Sequence, residues 1–300
     1  MTLSVAVTGA SGLIGSALVP VLSAAGHTVT RLVRRTPGRD EARWDPAAGE
    51  IDAAALEGVD VVVHLAGEGI ASARWTVARK RSIRESRVAG TALIARTLAA
   101  LHRKPGLLVS ASAIGIYGHC GDTPLTESDP VGTGFLAEVG RAWEGATGPA
   151  TEAGIRVVLP RFGIILSPKG GALAKMAPPF RLGVGGPLGS GRQWMSWLSI
   201  DDAVGVILHA MTQAELVGPV NAVAPEPVTN AEFTRSLGTV VGRPAILPVP
   251  VFALELLFGE MAREALLGSQ RVLPRRLEET GYAFRDPLLL PALRRLLTTR

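Results

Sequence analysis

The chain has 300 residues, of which 47% are hydrophobic and 19% charged, and its formal net charge at pH 7 is +5. This length suits one large α/β domain, or a nucleotide-binding domain followed by a smaller C-terminal part. The basic residues are spread along the chain, arginine greatly exceeds lysine, and no cationic cluster with interleaved aromatic residues occurs. A nucleic-acid partner is therefore not expected.

Cysteine usage and hydropathy limit the chain further. Cys120 is the single cysteine, which excludes an internal disulfide and a cysteine-based metal cluster and favours a reducing compartment. No apolar run reaches the roughly 18 residues of a membrane span, and no signal segment precedes the first strand. The sequence predicts a soluble, cytoplasmic protein with no metal and no membrane partner.

The first predicted strand, at residues 4–8, ends in a glycine-rich turn that leads into an apolar helix at residues 13–25. Gly9 allows a tight turn, Gly12 lets the backbone approach a phosphate, and Gly15 lets the helix pack on the strand. A helix N-terminus offers unpaired N–H groups and a positive dipole end, so this pattern predicts a dinucleotide pyrophosphate site. The residues expected to contact the dinucleotide here are Thr8, Gly9, Ser11, Gly12, Leu13 and Ile14.

A second strand is predicted at residues 28–33, and Arg34 and Arg35 follow it. About 20 residues after such a turn, dinucleotide-binding folds carry an acid for the ribose hydroxyl of NAD or an arginine for the 2′-phosphate of NADP. No carboxylate stands at this strand end, and a guanidinium pairs bidentately with a phosphate. The sequence predicts NADP(H) as the cofactor, with a solvated basic pair as the alternative.

Strands and helices then alternate along the chain. After a polar connection at residues 39–56, the predicted strands cover residues 59–65, 107–110, 156–160 and 220–223, and the predicted helices cover residues 76–102, 135–153 and 200–211. This order predicts an α/β fold with a doubly wound parallel Rossmann sheet, which binds ligands at the carboxyl ends of its strands. Four residues at such ends join the expected cofactor contacts: Leu65, Ala66, Gly67 and Ser110.

The two halves of the chain are predicted to have different roles. Residues 1–165 are assigned to an NADP-binding Rossmann domain, with the sheet completed by about residues 200–225. Residues 166–300 are assigned to a smaller, mostly helical substrate-binding and C-terminal region. A stretch rich in proline and glycine at residues 178–191 is suited to cover a substrate.

Several motifs together resemble one protein family. They lie at residues 8–15, 64–67, 110–118, 135–138 with 143–144, 161–163, 194–202, 221–225, 247–250 and 268–272. Over nearly its whole length the chain resembles the atypical extended short-chain dehydrogenases/reductases, the epimerase family with a conserved C-terminal domain (SDR family 39U-like). The resemblance implies an oxidoreductase or epimerase that exchanges hydride at the nicotinamide ring of NADP(H).

The usual catalytic pair of that superfamily is missing from this sequence. Typical members use Tyr-x-x-x-Lys, in which the lysine lowers the pKa of a tyrosine that exchanges a proton with the substrate. The two tyrosines of this chain are followed four residues later by Gly121 and Asp286. Judged from the spacing to Glu144, the pair falls near Leu136 and Gly140, neither of which carries a proton.

Other residues are therefore the candidates for catalysis. The resemblance implies a serine after the fourth strand that holds the reacting oxygen, and Ser112 and Ser110 compete for this role. Tyr117 matches a tyrosine of extended members that suits a pocket wall better than an acid. His119 in the next loop could supply a proton because imidazole titrates near neutral pH, with a plain exposed histidine as the alternative.

A helical acid and base form the second group of candidates. Arg141 matches the arginine of a His-x-x-x-Arg pattern in the atypical branch, although Ala137 stands where the histidine belongs. Glu138 lies three residues before Arg141 and shares a helix face with it. The two side chains are predicted to pair, either beside the nicotinamide or as a surface ion pair.

The substrate is predicted to be a small carbonyl, hydroxyl or sugar-nucleotide-like molecule. Arg161 and Arg192 are candidate cations for it, and Trp194 and Trp197 could stack on a ring or pack in the core. Because the usual proton-transfer pair is missing, a catalytically inactive NADP-binding sensor or scaffold is the rival hypothesis. A homodimer is a further arrangement that the sequence leaves open.

Overall fold

The structure is a computed structural model that describes residues 2–71 and 73–298. The strands are β1 Ser4–Thr8, β2 Thr28–Val33, β3 Glu41–Asp45, β4 Glu50–Ile51, β5 Val61–His64, β6 Leu107–Ser110, β7 Ser112–Ala113, β8 Pro124–Leu125, β9 Arg156–Phe162, β10 Ile164–Ser167, β11 Trp194–Met195, β12 Trp197–Ser199, β13 Gly218–Ala222, β14 Val228–Thr229 and β15 Arg271–Val272. The helices are α1 Leu13–Ala24, α2 Val77–Ala100, α3 Phe135–Gly145, α4 Gly148–Glu152, α5 Gly171–Arg181, α6 Ile200–Thr212, α7 Asn230–Val241, α8 Val251–Phe258, α9 Arg275–Glu279 and α10 Leu289–Thr298.

A nine-stranded sheet forms the centre of the molecule. Its order is β13-β9-β6-β5-β1-β2-β3-β4, and β7 also pairs with β9. Pairing is parallel throughout except between β3 and β4. The expected doubly wound α/β fold is confirmed, and the carboxyl ends of β1, β2, β5 and β6 meet at one edge.

Helices cover both faces of the sheet, because alternate side chains of a strand point to opposite sides. Val5 and Val7 of β1 pack on one face with residues of α1 and α6, whereas Ala6 packs on the other face with residues of α2. All three β1 side chains are completely buried. The sheet is thus the middle layer of three.

Some local elements differ from those predicted from the sequence. The segment expected to be a polar connection at residues 39–56 contains β3 and β4. The single helix expected at residues 135–153 is divided into α3 and α4, and Pro149 stands in the first turn of α4, where its missing N–H group costs nothing. Helix α5 includes Pro178 and Pro179, which were assigned to loop.

The C-terminal residues pack on the carboxyl side of the sheet. Helices α5, α7 and α10 share a hydrophobic cluster that includes Phe180, Phe233 and Leu293. Two short pairings, β10 with β12 and β8 with β15, connect this part to the rest, and β11 pairs with β14 inside it. Within residues 2–71 and 73–298 no helix is both long and apolar enough to cross a membrane, and the same ranges contain no group of three metal-ligating side chains.

Candidate functional site

The glycine turn after β1 packs tightly against the loop that follows β5. Gly9 has φ +67, and a Cβ atom added there would lie 2.8 Å from the carbonyl carbon of Leu65. A Cβ atom at Gly15 would lie 2.2 Å from the carbonyl oxygen of Gly9. Both positions therefore require glycine. Gly9 is needed for its backbone conformation and its contact with the loop after β5, and Gly15 is needed because the helix packs closely on the turn.

The N-terminus of α1 is open. Gly12 is the N-cap residue and no side chain caps the helix, and the first turn contains no acidic residue. Ser11 and Gly12 are both exposed. The first N–H groups of a helix need an acceptor, and the helix dipole favours a negative one. The turn therefore has the features that fit a pyrophosphate.

Thr8 lies behind this turn and not on its surface. It is completely buried, and its Oγ1 accepts hydrogen bonds from the backbone N–H groups of Leu65 and Ala66, at 3.1 and 3.3 Å. The same hydroxyl donates to Nδ1 of His64, 2.7 Å away. Thr8 thus positions the loop at residues 65–67, and its own contact with the cofactor stays a prediction.

His64 completes this buried connection. Its Nδ1 accepts from Thr8, so the ring proton is on Nε2, which lies 3.1 Å from Oγ1 of Thr91 on α2. Burial lowers the pKa of His64 to about 4. The ring is therefore neutral at physiological pH and connects β1, β5 and α2 through two hydroxyl groups.

Arg34 and Arg35 differ in their surroundings although both are exposed at the end of β2. Arg35 is paired, because its Nη2 lies 2.6 Å from Oε1 of Glu41. The side chain of Arg34 makes no hydrogen bond or ion pair within the described part of the chain. Arg34 is therefore the arginine of this pair with a guanidinium available to a ligand.

Ser112 is held by a buried carboxylate. Its Oγ donates to Oε1 of Glu144, 2.6 Å away, and the residue is 2% exposed. Arg161 donates to both carboxylate oxygens of Glu144, each at 2.8 Å. Ser110, the competing serine, is completely buried, and its Oγ has no hydrogen-bond partner among the residues described.

Arg161 and Tyr117 belong to this network and are not free groups. Arg161 is 4% exposed, and its Nη1 donates to the hydroxyl of Tyr117, which donates in turn to Oδ1 of Asn221. Burial alone would lower the pKa of Arg161, but the hydrogen bonds and the charge of Glu144 raise it. Arg161 and Tyr117 are thus hydrogen-bonded to neighbours inside the protein, and their expected roles in substrate binding and in catalysis stay predictions.

The expected ion pair between Glu138 and Arg141 is absent. Both residues are exposed on α3, and Arg141 reaches the carbonyl oxygen of Gly132 at 3.5 Å. His119 is exposed, and its Nδ1 accepts the backbone N–H of Ser269 at 3.0 Å. His119 therefore connects its loop to the C-terminal part of the chain, and within the described residues none of the three hydrogen-bonds to Ser112.

The remaining predicted substrate residues lie in the segment before α6. Trp197 is completely buried and donates from its indole N–H to the carbonyl oxygen of Glu226, so it packs in the core and cannot stack on a substrate. Trp194 is half-buried and donates to Asp122. Arg192 is the most exposed of these three residues, and its side chain is accessible to a ligand.

Comparison with known proteins identifies the family. Residues 5–223 match the model of the NAD dependent epimerase/dehydratase family. The chain belongs to this family. Residues 249–296 match a second model, described as a domain of unknown function, DUF1731. The resemblance read from the sequence motifs is confirmed.

Relatives in this epimerase/dehydratase family match along nearly the whole chain. An epimerase family protein from Mycobacterium bovis is 48% identical over 290 residues, which is 96% of each chain. The crystal structure of human epimerase family protein SDR39U1 with NADPH shares 34% sequence identity with this chain and superposes with a TM-score of 0.91. The match covers 99% of this chain and 100% of that chain. The nucleoside-diphosphate sugar epimerase from Corynebacterium glutamicum is 40% identical with a TM-score of 0.83, covering 99% of this chain and 58% of that one.

Sequence reasoning missed two residues that the structure brings to this edge of the sheet. In the sequence Glu144 was noted only as part of a family motif. Its hydrogen bond to the buried Ser112 could not be predicted from the sequence. Arg87 of α2 was not considered at all, although it lies against Gly67. An arginine inside a long helix with many basic residues carries no sequence signal that separates it from a solvated one.

Proposed function

We propose that this protein is an NADP(H)-dependent oxidoreductase or epimerase. The observation that carries the proposal is the open N-terminus of α1 combined with the unpaired Arg34 at the adjacent strand end. The first would take the pyrophosphate and the second the 2′-phosphate. The human relative crystallised with NADPH supports the same cofactor.

The strand-end residues would hold the rest of the cofactor and the reacting group. The backbone at residues 65–67, positioned by Thr8, would lie along the ribose and nicotinamide linker. When bound, the cofactor supplies a nicotinamide ring that accepts or donates hydride. The substrate would be a small carbonyl, hydroxyl or sugar-nucleotide-like molecule whose reacting oxygen meets Ser112.

The hydrogen bonding of Ser112 defines what it can offer a substrate. Its single hydroxyl proton is directed to Glu144, which is paired with Arg161, so the lone pairs of Oγ remain free to accept a hydrogen bond. A substrate hydroxyl can donate to these lone pairs, and the network fixes the orientation in which it does so. Ser112 would then orient the alcohol form of the substrate.

A turnover screen tests this function. Purified protein is mixed with NADPH and a panel of carbonyl compounds, and separately with NADP⁺ and alcohols or nucleotide sugars; cofactor absorbance and epimer formation are followed. We expect turnover of some member, and Ser112→Ala should lower kcat roughly tenfold or more while leaving NADPH affinity unchanged. Ser23→Ala, an exposed serine on α1, is the matched control.

Two results would count against the enzyme. Inactivity of the wild type across the panel, together with tight NADPH binding, would favour the sensor or scaffold. A Ser112→Ala protein with wild-type kcat would remove Ser112 from the reaction.

A further inference from the structure

Arg87 is held in place at the edge of the candidate site. Its Nη1 donates to the carbonyl oxygens of Glu68 and Ile83, at 2.9 and 3.1 Å. No other hydrogen bond from Arg87 occurs within the described part of the chain. Its Nη2 and Nε groups therefore keep their N–H donors available while the side chain is anchored by the backbone.

This guanidinium makes no ion pair with any carboxylate among the described residues. Glu68, the nearest acid on the same loop, directs its side chain to Arg79 and Ser82. Burial lowers the pKa of Arg87 to about 10, and the charge of Glu68 opposes that effect. Arg87 is thus still a cation at neutral pH, in surroundings where an uncompensated charge is unfavourable.

Two walls of the candidate site enclose Arg87. On one side is Gly67 at the end of the β5 loop, where an added Cβ atom would lie 3.6 Å from Cγ and from Cζ of Arg87. On the other side is the ring of Trp143, whose centroid is 5.0 Å from Cζ. Trp143 directly precedes Glu144, the residue that holds Ser112. The cation therefore lies between the expected cofactor strand end and the helix that positions the serine.

We propose that Arg87 binds an anionic oxygen group of the substrate, a carboxylate or a phosphate, and so restricts the site to anionic substrates. This rests on the proposed function, since it places that substrate beside the nicotinamide. A planar guanidinium with one nitrogen anchored by carbonyls presents its other N–H groups in a fixed fork, which matches two oxygens of one anion. The contact with Trp143 keeps the plane of the fork constant.

Binding of small anions tests the proposal without knowledge of the true substrate. NADP⁺-saturated protein is titrated by calorimetry with oxalate, oxamate, neutral oxamide and inorganic phosphate. We expect oxalate or phosphate to bind and oxamide not to bind. Arg87→Gln should weaken anion binding roughly tenfold or more, and Arg87→Lys should retain part of it. Arg84→Gln, an exposed arginine on the same helix, is the matched control and should behave as wild type.

The titration separates this proposal from the proposed function. Each variant is first titrated with NADPH, which also shows that it is folded, and the anion titrations are repeated without cofactor. Preference for oxalate over phosphate would identify a carboxylate, and the reverse a phosphate. Equal anion binding by wild type and Arg87→Gln, or no anion binding by wild type, would overturn the proposal. A selective loss of NADPH affinity in Arg87→Gln would also overturn it, because Arg87 would then serve the cofactor.

Discussion

Glu144 is the residue on which the geometry at the end of β6 depends. It accepts from Ser112 and twice from Arg161, and Arg161 in turn donates to Tyr117. Arg161 is 4% exposed, so it has no access to solvent if this partner is lost. The carboxylate of Glu144 thus holds Ser112 in place and also neutralises the buried guanidinium of Arg161.

Replacing Glu144 by glutamine should therefore destabilise the protein strongly. The variant leaves the buried charge of Arg161 unpaired, which costs about 3–5 kcal/mol in comparable buried pairs. The free energy of unfolding from urea denaturation measures the effect. Glu138→Gln, exposed on the same helix, should change it by less than about 0.5 kcal/mol. Equal stability of the two variants would show that the pair contributes little.

For single residues, the sequence predicts which side chains lie at strand ends better than it predicts whether they are buried or paired. Arg34 and Ser112 were found because each follows a strand, and strand ends are where such folds bind ligands. Arg161 was expected to bind a substrate and Trp197 either to stack on one or to pack in the core, and both are buried. The local sequence pattern shows that a residue follows a strand. Whether its side chain is buried or hydrogen-bonded depends on residues that are distant in sequence.

The turn between β1 and α1 is the element proposed to recognise the dinucleotide. Gly9 and Gly15 are required by the protein's own packing, as the contacts of an added Cβ atom show. Gly12 differs from them, because its φ is −74 and a Cβ atom there would meet only the carbonyl oxygen of Gly9, at 3.1 Å. An alanine at this position is compatible with the fold but would place a methyl group where the phosphate must approach.

Gly12→Ala should therefore separate cofactor binding from stability. We expect NADPH affinity to fall roughly tenfold or more, with a loss of unfolding free energy of only about 1 kcal/mol. Fluorescence titration and thermal denaturation measure the two effects. Gly145→Ala is the control, since nothing lies within 4 Å of its added Cβ atom, and it should leave NADPH binding unchanged. An unaltered affinity in Gly12→Ala would show that the phosphate does not approach this residue.

Elements with a strong hydrophobic pattern were predicted closely. Strands β2 and β6 have the expected bounds, because β6 is a continuous run of buried residues and β2 is rich in β-branched residues. Strand β3, Glu-Ala-Arg-Trp-Asp, alternates polar and apolar residues but was missed because it is only five residues long and lies in a segment rich in charged residues. Its pairing with β2 decides its conformation, and pairing is a long-range property.

At the scale of the whole molecule, stability depends on a neutral buried histidine. His64 connects β1, β5 and α2, and its Nδ1 faces the proton of the Thr8 hydroxyl. A second ring proton would oppose that donor and break the arrangement. Since β1 and β5 lie in the middle of the sheet, the consequence is global and not confined to one loop.

The free energy of unfolding should consequently fall as the solution is acidified. The pKa of His64 is about 4 in the folded chain against an ordinary 6.5, so the unfolded chain binds more protons between these values. Stability is fully present above pH 6.5 and is lost progressively down to pH 4, by about 3 kcal/mol. Urea denaturation of wild type and His64→Gln across this range measures the difference, because carboxylates titrate alike in both proteins. Parallel pH profiles would contradict the argument.

Selectivity between NADPH and NADH is the most direct test of the whole account. The two cofactors differ by the 2′-phosphate, which the unpaired Arg34 is placed to bind. Fluorescence titration of wild type should show NADPH binding roughly tenfold or more tighter than NADH, and Arg34→Ala should remove that preference without weakening NADH binding. Arg35→Ala, whose guanidinium is occupied by Glu41, should retain most of the preference. Equal affinity of the wild type for both cofactors, or no binding of either, would contradict the account.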